Sequence, residues 1–192
     1  SLVVNEADYL LPGVDTGEFV EIKNEGRRPV DLGEYVLVGV DGQGVEYFRL
    51  RLLSRTLLPG HYHVVCNVGS NTLNCDQPEL AEQDALRDRD SGQAVGGLAI
   101  LRDPTADARD DILIDSLAYE GAVGGGPPTG GTWTEGTFSN ALDPSNADNV
   151  SLARIRDGLD TQSNRNDFKQ GCVTPGYVNI SRPLTGGTCG AP

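Results

Sequence analysis

Apolar residues in this chain come in runs of about 5–8, each closed by glycine, proline, asparagine or aspartate before a helical repeat can build. The runs cover residues 2–7, 18–23, 35–40, 45–51, 61–66, 97–101, 112–119 and 151–155, and most are rich in Val, Ile, Leu, Tyr or Phe. Pro12-Gly13, Asn24-Glu25-Gly26, Asp41-Gly42, Pro59-Gly60 and Asp103-Pro104 punctuate them. Asp41-Gly42-Gln43-Gly44 between two such runs signals a hairpin. Many short strands with turn signals predict an all-β fold, an antiparallel β-sandwich with long loops. At most one short helix is predicted, over residues 78–89, where Leu80 and Leu86 follow acidic residues. The glycine- and proline-rich stretch 121–131 and the polar stretch 140–149 read as loops. Trp133, just after the first, suits a core position better than a partner-facing one.

At 192 residues, 38% of them hydrophobic and 22% charged, the chain is long enough for one domain with a real core. Residues 1–180 form that domain in this reading, and residues 181–192 form a tail. Its formal charge of −13 repels phosphate backbones, which argues against nucleic acid. No stretch approaches the ~20 apolar residues of a membrane-spanning helix. The 4 cysteines, Cys66, Cys75, Cys172 and Cys189, include no C-x-x-C pair and read as two disulfides. Of the three connectivities, local pairing (Cys66 with Cys75, Cys172 with Cys189) is favoured, the second pair holding the tail. With an apolar segment directly after Ser1 and no methionine, the start fits a mature N-terminus left by signal removal. Together these features predict a secreted protein, extracellular or at the cell surface.

Several segments in order carry a family resemblance. They include Val4-Asn5-Glu6-Ala7-Asp8-Tyr9, the stretch Asp15-Thr16-Gly17-Glu18-Phe19-Val20-Glu21-Ile22-Lys23-Asn24, and Pro29-Val30-Asp31-Leu32-Gly33-Glu34-Tyr35. Leu58-Pro59-Gly60, Gly97-Leu98-Ala99-Ile100-Leu101, Ile114-Asp115-Ser116-Leu117-Ala118-Tyr119 and Ser151-Leu152-Ala153-Arg154-Ile155 continue it. Asp157-Gly158-Leu159-Asp160-Thr161, Asn166-Asp167-Phe168 and Thr174-Pro175-Gly176-Tyr177-Val178-Asn179 close it. Over nearly its whole length the chain resembles a bacterial lamin-tail domain. The resemblance implies an immunoglobulin-like sandwich, an interaction module of secreted or surface proteins, and no shared catalytic residues. The cysteines, the insertion at 77–93 and the glycine loop depart from the family pattern.

Chemistry-bearing patterns are few. Only His61 and His63 are available as imidazole bases, and the G-x-S-x-G, H-E-x-x-H and P-loop patterns are missing. Both histidines would lie on one face of a strand, where packing is a simpler account than a metal. Calcium needs six to eight oxygens from irregular loops. Asp157, Asp160, Asn164 and Asp167 offer such oxygens, although Asx turns explain them too. A weaker calcium set is Glu6, Asp15 and Glu18, with Asn5, Asp8 and Glu21 beside them. If strands 2–7 and 18–23 are neighbours these acids crowd, and a cation or one of Arg27, Arg154 and Arg156 must neutralise them. The acidic run 103–111 reads as a solvated loop. Asn149-Val150-Ser151 and Asn179-Ile180-Ser181 match the glycosylation sequon.

The sequence therefore predicts a non-enzymatic extracellular module that tethers a protein or cell-surface partner and requires no cofactor. The alternatives are a structural subunit that self-assembles into a fibre or lattice, and a calcium-dependent adhesion module.

Overall fold

The computed structural model describes residues 1–88, 95–103, 105, 107, 110–125, 132–141, 143, 149–181 and 189. Among them the apolar runs are strands: β1 (Leu2–Asp8), β2 (Phe19–Asn24), β3 (Val30–Asp31), β4 (Tyr35–Asp41), β5 (Glu46–Arg51), β6 (Thr56–Leu57) and β7 (Tyr62–Asn67). They continue as β8 (Gln77–Leu80), β9 (Gly96–Arg102), β10 (Ile112–Tyr119), β11 (Val150–Arg154), β12 (Phe168–Cys172) and β13 (Ile180–Ser181). A seven-stranded sheet runs β13-β12-β11-β1-β2-β7-β8, a four-stranded sheet runs β10-β9-β4-β5, and β3 pairs with β6. The chain is an all-β sandwich, and its described strands pair antiparallel except where β8 lies parallel to β7.

The core lies where the sheets face each other. Leu2, Val4, Val20, Ile22, Val65, Leu152 and Phe168 of the larger sheet pack against Leu37, Leu98, Ile100, Leu117 and Tyr119 of the smaller. Two smaller apolar clusters sit on the outer faces. Val36, Val38, Val40, Ala99, Leu101 and Ala118 are covered by Val123 and Trp133, so Trp133 is a core residue with no exposed surface. Phe19, Val64 and Cys66 are covered by Cys75 and Val173. Strands buried on both sides leave little room for strict alternation, which explains why their sequences read as unbroken apolar runs.

Disulfides join Cys66 to Cys75 and Cys172 to Cys189. The first clips the loop that turns β7 into β8. The second attaches Cys189 to the end of β12. The boundary at residue 180 falls inside β13, so Ser181 belongs to the sheet. Two disulfides place the chain in an oxidising environment, and among the described residues no helix is long and apolar enough to cross a membrane.

The helix predicted over residues 78–89 is not there. Its first residues belong to β8, and the rest of its described part, up to residue 88, is irregular. A segment that short is marginal as a helix on its own. Here Glu18 captures its backbone, accepting from Ala85 N at 2.7 Å and Leu86 N at 2.8 Å. The one α-helix described is the single turn α1 (Asn164–Asp167), and Leu32–Glu34 form a 3-10 turn.

Candidate functional site

Two bulges decide where the charged side chains go. Pairing of β1 with β2 shifts between Val4 and Glu6, which puts Leu2, Val4 and Ala7 in the core and sets Glu6 directly across from Glu21. Pairing of β10 with β9 shifts between Leu113 and Asp115, and Asp115 then joins the inward-facing series with Leu117 and Tyr119. Each bulge thus delivers one carboxyl group to a place that the plain two-residue period would deny it.

Asp115 meets Arg154, a fully buried arginine on β11. Arg154 Nη2 lies 3.1 Å from both Asp115 oxygens, Nε donates to Val4 O at 2.8 Å, and Nη1 donates to Asp167 Oδ2 at 3.0 Å and Leu159 O at 3.1 Å. Its guanidinium also stacks on Phe168, 4.5 Å from the ring centroid. Asp115 Oδ2 accepts a further bond from Val4 N at 2.6 Å. This clamp links the two sheets through the core. Burial raises Asp115 to about 6 even though Arg154 pulls it down.

Asn164, at the start of α1, plugs the outer edge of β10. It accepts from Ala118 N at 2.9 Å and donates to Ser116 O at 2.8 Å, as a neighbouring strand would. Ser139 N adds a bond to Ala118 O at 2.9 Å. Glu135 accepts from Asn164 Nδ2 at 3.2 Å, and burial, followed by the charges of Asp115 and Asp160, lifts it to about 8.

The four loop residues considered for calcium are each committed to other partners, with Arg154 shared by Asp160 and Asp167. Asp157 accepts from Lys23 Nζ at 2.7 Å, Tyr62 Oη at 2.8 Å, Asn5 Nδ2 at 2.9 Å and Asn179 N at 3.3 Å. Burial pushes Asp157 up, but these donors outweigh it and hold it below the usual carboxylate range. Asp160 accepts from its own turn, Gln162 N at 2.8 Å, and lies 3.5 Å from Arg154. Asp167 takes Arg154 and both donors of Thr161. Asn164 is committed to β10.

The N-terminal acids divide in the same way. Asp15 accepts from Leu11 N at 2.7 Å. Glu18 holds Asn67, Ala85 and Leu86, and burial raises it to about 7. Asp8 is buried beside Asp143, and burial, then the Asp143 charge, raises it well above its ordinary value. Strands β1 and β2 are neighbours, so Glu6 and Glu21 do crowd. Among the described residues no arginine pairs with either of them, and Arg154 is given over to Asp115 and Asp167. Instead Glu6 accepts from Ser151 Oγ at 2.6 Å and Thr174 N at 2.9 Å, and Glu21 from Asn5 Nδ2 at 2.7 Å and Gly176 N at 2.6 Å.

Among the described residues, three carboxylates come together at Asp115, Glu135 and Asp160, with oxygens within 4.8 Å of one another. The guanidinium of Arg154 already supplies positive charge there. Of these three, the sequence reading singled out only Asp160. The signal for the clamp was present all the same: Asp115 interrupts ILIDSLAY and Arg154 ends VSLAR, each a charge inside an otherwise apolar strand.

His63 is buried, with Nε2 3.1 Å from Gln77 Oε1, while His61 is exposed just before β7. Burial lowers the His63 pKa. Asn179 is a buried tether and not an open sequon, since its Nδ2 donates to Asn5 O and Arg154 O, each at 3.0 Å. Comparison with known protein families, with curated proteins and with solved structures finds no match.

Proposed function

We propose that the chain is a non-enzymatic, extracellular interaction module of the lamin-tail type, an immunoglobulin-like sandwich that tethers a protein or cell-surface partner. One observation carries the reading. Tyr177, Val178 and Ile180 stand 63%, 61% and 58% exposed along the segment that ends in the edge strand β13. Large apolar side chains grouped beside a sheet edge suit contact with another macromolecule. The disulfides favour an extracellular setting. The buried polar side chains support the reading from the other side, because Arg154, Asp115, Glu18 and Asn164 are engaged in holding sheets and loops together.

The test is affinity capture from the extracellular material of the source organism, with the wild-type chain and a Tyr177→Ser, Val178→Ser, Ile180→Ser variant as baits. A partner held by the first and lost by the second, at equal melting midpoints, supports the proposal. A variant that keeps every partner overturns it. Sedimentation over rising concentration identifies the case in which the partner is a second copy, as a fibre or lattice subunit requires.

A further inference from the structure

Residues 173–181 cross the outer face of the larger sheet and carry no charged side chain. They nevertheless lie over a pair of opposed glutamates. Thr174 N donates to Glu6 and Gly176 N to Glu21. Asn179 bonds to the backbone of β1 at Asn5 and to that of β11 at Arg154.

Counting protons across this contact fixes more than the distances alone. Both bonds from Asn179 Nδ2 go to carbonyl oxygens, so the amide orientation is set and Oδ1 must accept. Thr174 Oγ1 lies 3.2 Å from that Oδ1 and 3.0 Å from Glu6 Oε2. A hydroxyl has one proton and can give it to only one of the two. All three atoms are satisfied when Glu6 Oε2 carries a proton: Glu6 donates to Thr174 Oγ1, and Thr174 donates to Asn179 Oδ1. Without that proton the hydroxyl turns to the carboxylate, and Asn179 Oδ1 loses its donor.

The charges around Glu6 act in the same direction. Glu21 on β2 stands across from it, Asp157 approaches from the loop after β11, and Asp8 lies on its own strand. On β7, Tyr62 is bonded to Asp157. Two described cations of this region are committed elsewhere: Lys23 to Asp157 and Glu25, Arg154 to Asp115 and Asp167.

We infer that residues 173–181 are a pH-operated latch, closed by a proton on Glu6 that is relayed through Thr174 to Asn179, and released when that proton leaves. Burial lifts Glu6 to about 7, and burial together with the Glu6 charge lifts Glu21 to about 8, which sets the window for opening. The closed form holds more protons than the open form, so closure is complete in acid and lost as pH rises through this window. Release uncovers Phe19 and Val64, which Val173 covers when the latch is closed. The inference concerns the fold alone and stands apart from the identity of any partner.

Hydrogen exchange on the whole chain with both disulfides intact tests it. Protection of the Thr174 and Gly176 amides, corrected for intrinsic rate, should fall between about pH 6 and pH 9 by about 10-fold or more beyond any fall at Ala99, a core amide that follows overall stability. In Glu6→Gln the amide nitrogen donates to Thr174 Oγ1 at every pH, so that excess should vanish. Equal excesses in both proteins, or no excess in the wild type, overturn the latch. Carbon-13 NMR of the Glu6 carboxyl in the unsubstituted protein gives an independent check. Titration in the ordinary carboxylate range sinks the proposal, and titration near neutrality upholds it.

Discussion

Arg154 and Glu6 stand on the same sheet and pose the same problem, a charge beyond the easy reach of water, with opposite solutions. Around Arg154, two carboxylates and two carbonyls share one guanidinium, so charge is balanced by charge. Around Glu6, a second carboxyl stands opposite and no cation pairs with it among the described residues, so the balance is made by hydrogen-bond donors and a retained proton. The first arrangement is complete once pH is above about 6, where Asp115 gives up its proton. The second keeps its proton up to about 7. A protein can therefore bury acids either rigidly or conditionally, and this one does both within a single sheet.

The largest expected effect is at the balanced site. Arg154→Ala leaves Asp115 and Asp167 in place without their cation and should lower stability by about 3–5 kcal/mol in denaturant unfolding. Pairing Arg154→Met with Asp115→Leu should recover much of that loss, because one of the two carboxyls goes as well and Asp167 keeps its Thr161 donors. A double variant as unstable as the sum of the single ones would show that the clamp is not one unit.

The second effect sharpens the contrast through pH. Glu6, Glu18, Glu21 and Glu135 hold protons more tightly than their ordinary value of 4.5, at about 7, 7, 8 and 8. Folded-state values above unfolded ones mean stability that is fully present below about 4.5 and lost as pH rises through 7 to 8. The melting midpoint should fall steadily between about pH 6 and pH 9, and Glu6→Gln should flatten part of that slope. Asp157 works the other way, since Lys23 and its other donors hold it low; its contribution is lost only on strong acidification.

A smaller loss is expected at the edge of β10. Asn164→Ala strips the bonds from Ala118 N and Ser116 O and should cost about 1–3 kcal/mol by thermal melting, with Asn164→Asp recovering only the bond to Ala118 N. Smallest of all is the effect of calcium. With Asp157, Asp160 and Asp167 already accepting from lysine, arginine and backbone donors, millimolar calcium should leave the melting midpoint where a chelator leaves it. A clear rise would reopen the acidic loop as a metal site.

What the sequence made legible follows the range of the interaction. Strands with an apolar run announced themselves, as did the two local disulfides and the buried place of Trp133. The strands that were missed are short, among them QPEL of β8, whose last three residues read as the start of a helix, and FKQGC of β12; both become strands because β7 and β11 offer them a ladder. The predicted helix failed for a related reason, since Glu18 reaches its backbone from 67 and 68 residues away. The crowding of Glu6 with Glu21 was readable once β1 and β2 were taken as neighbours. Its remedy was not, because Thr174 lies 168 residues from Glu6 along the chain.

The extra residue at Asn5 is spare to the register of β1 but not to its bonding. Without it Val4 would run directly into Glu6, the two-residue period would be restored, and Glu6 would still stand opposite Glu21 with Ala7 turned inward. What a deletion there removes is the Asn5 amide, which donates to Glu21 and Asp157 and accepts from Gly158 N. A lost codon at this point should therefore leave the pleat intact and loosen the loop after β11, so the toll of a shorter β1 falls on a neighbour and not on the strand itself.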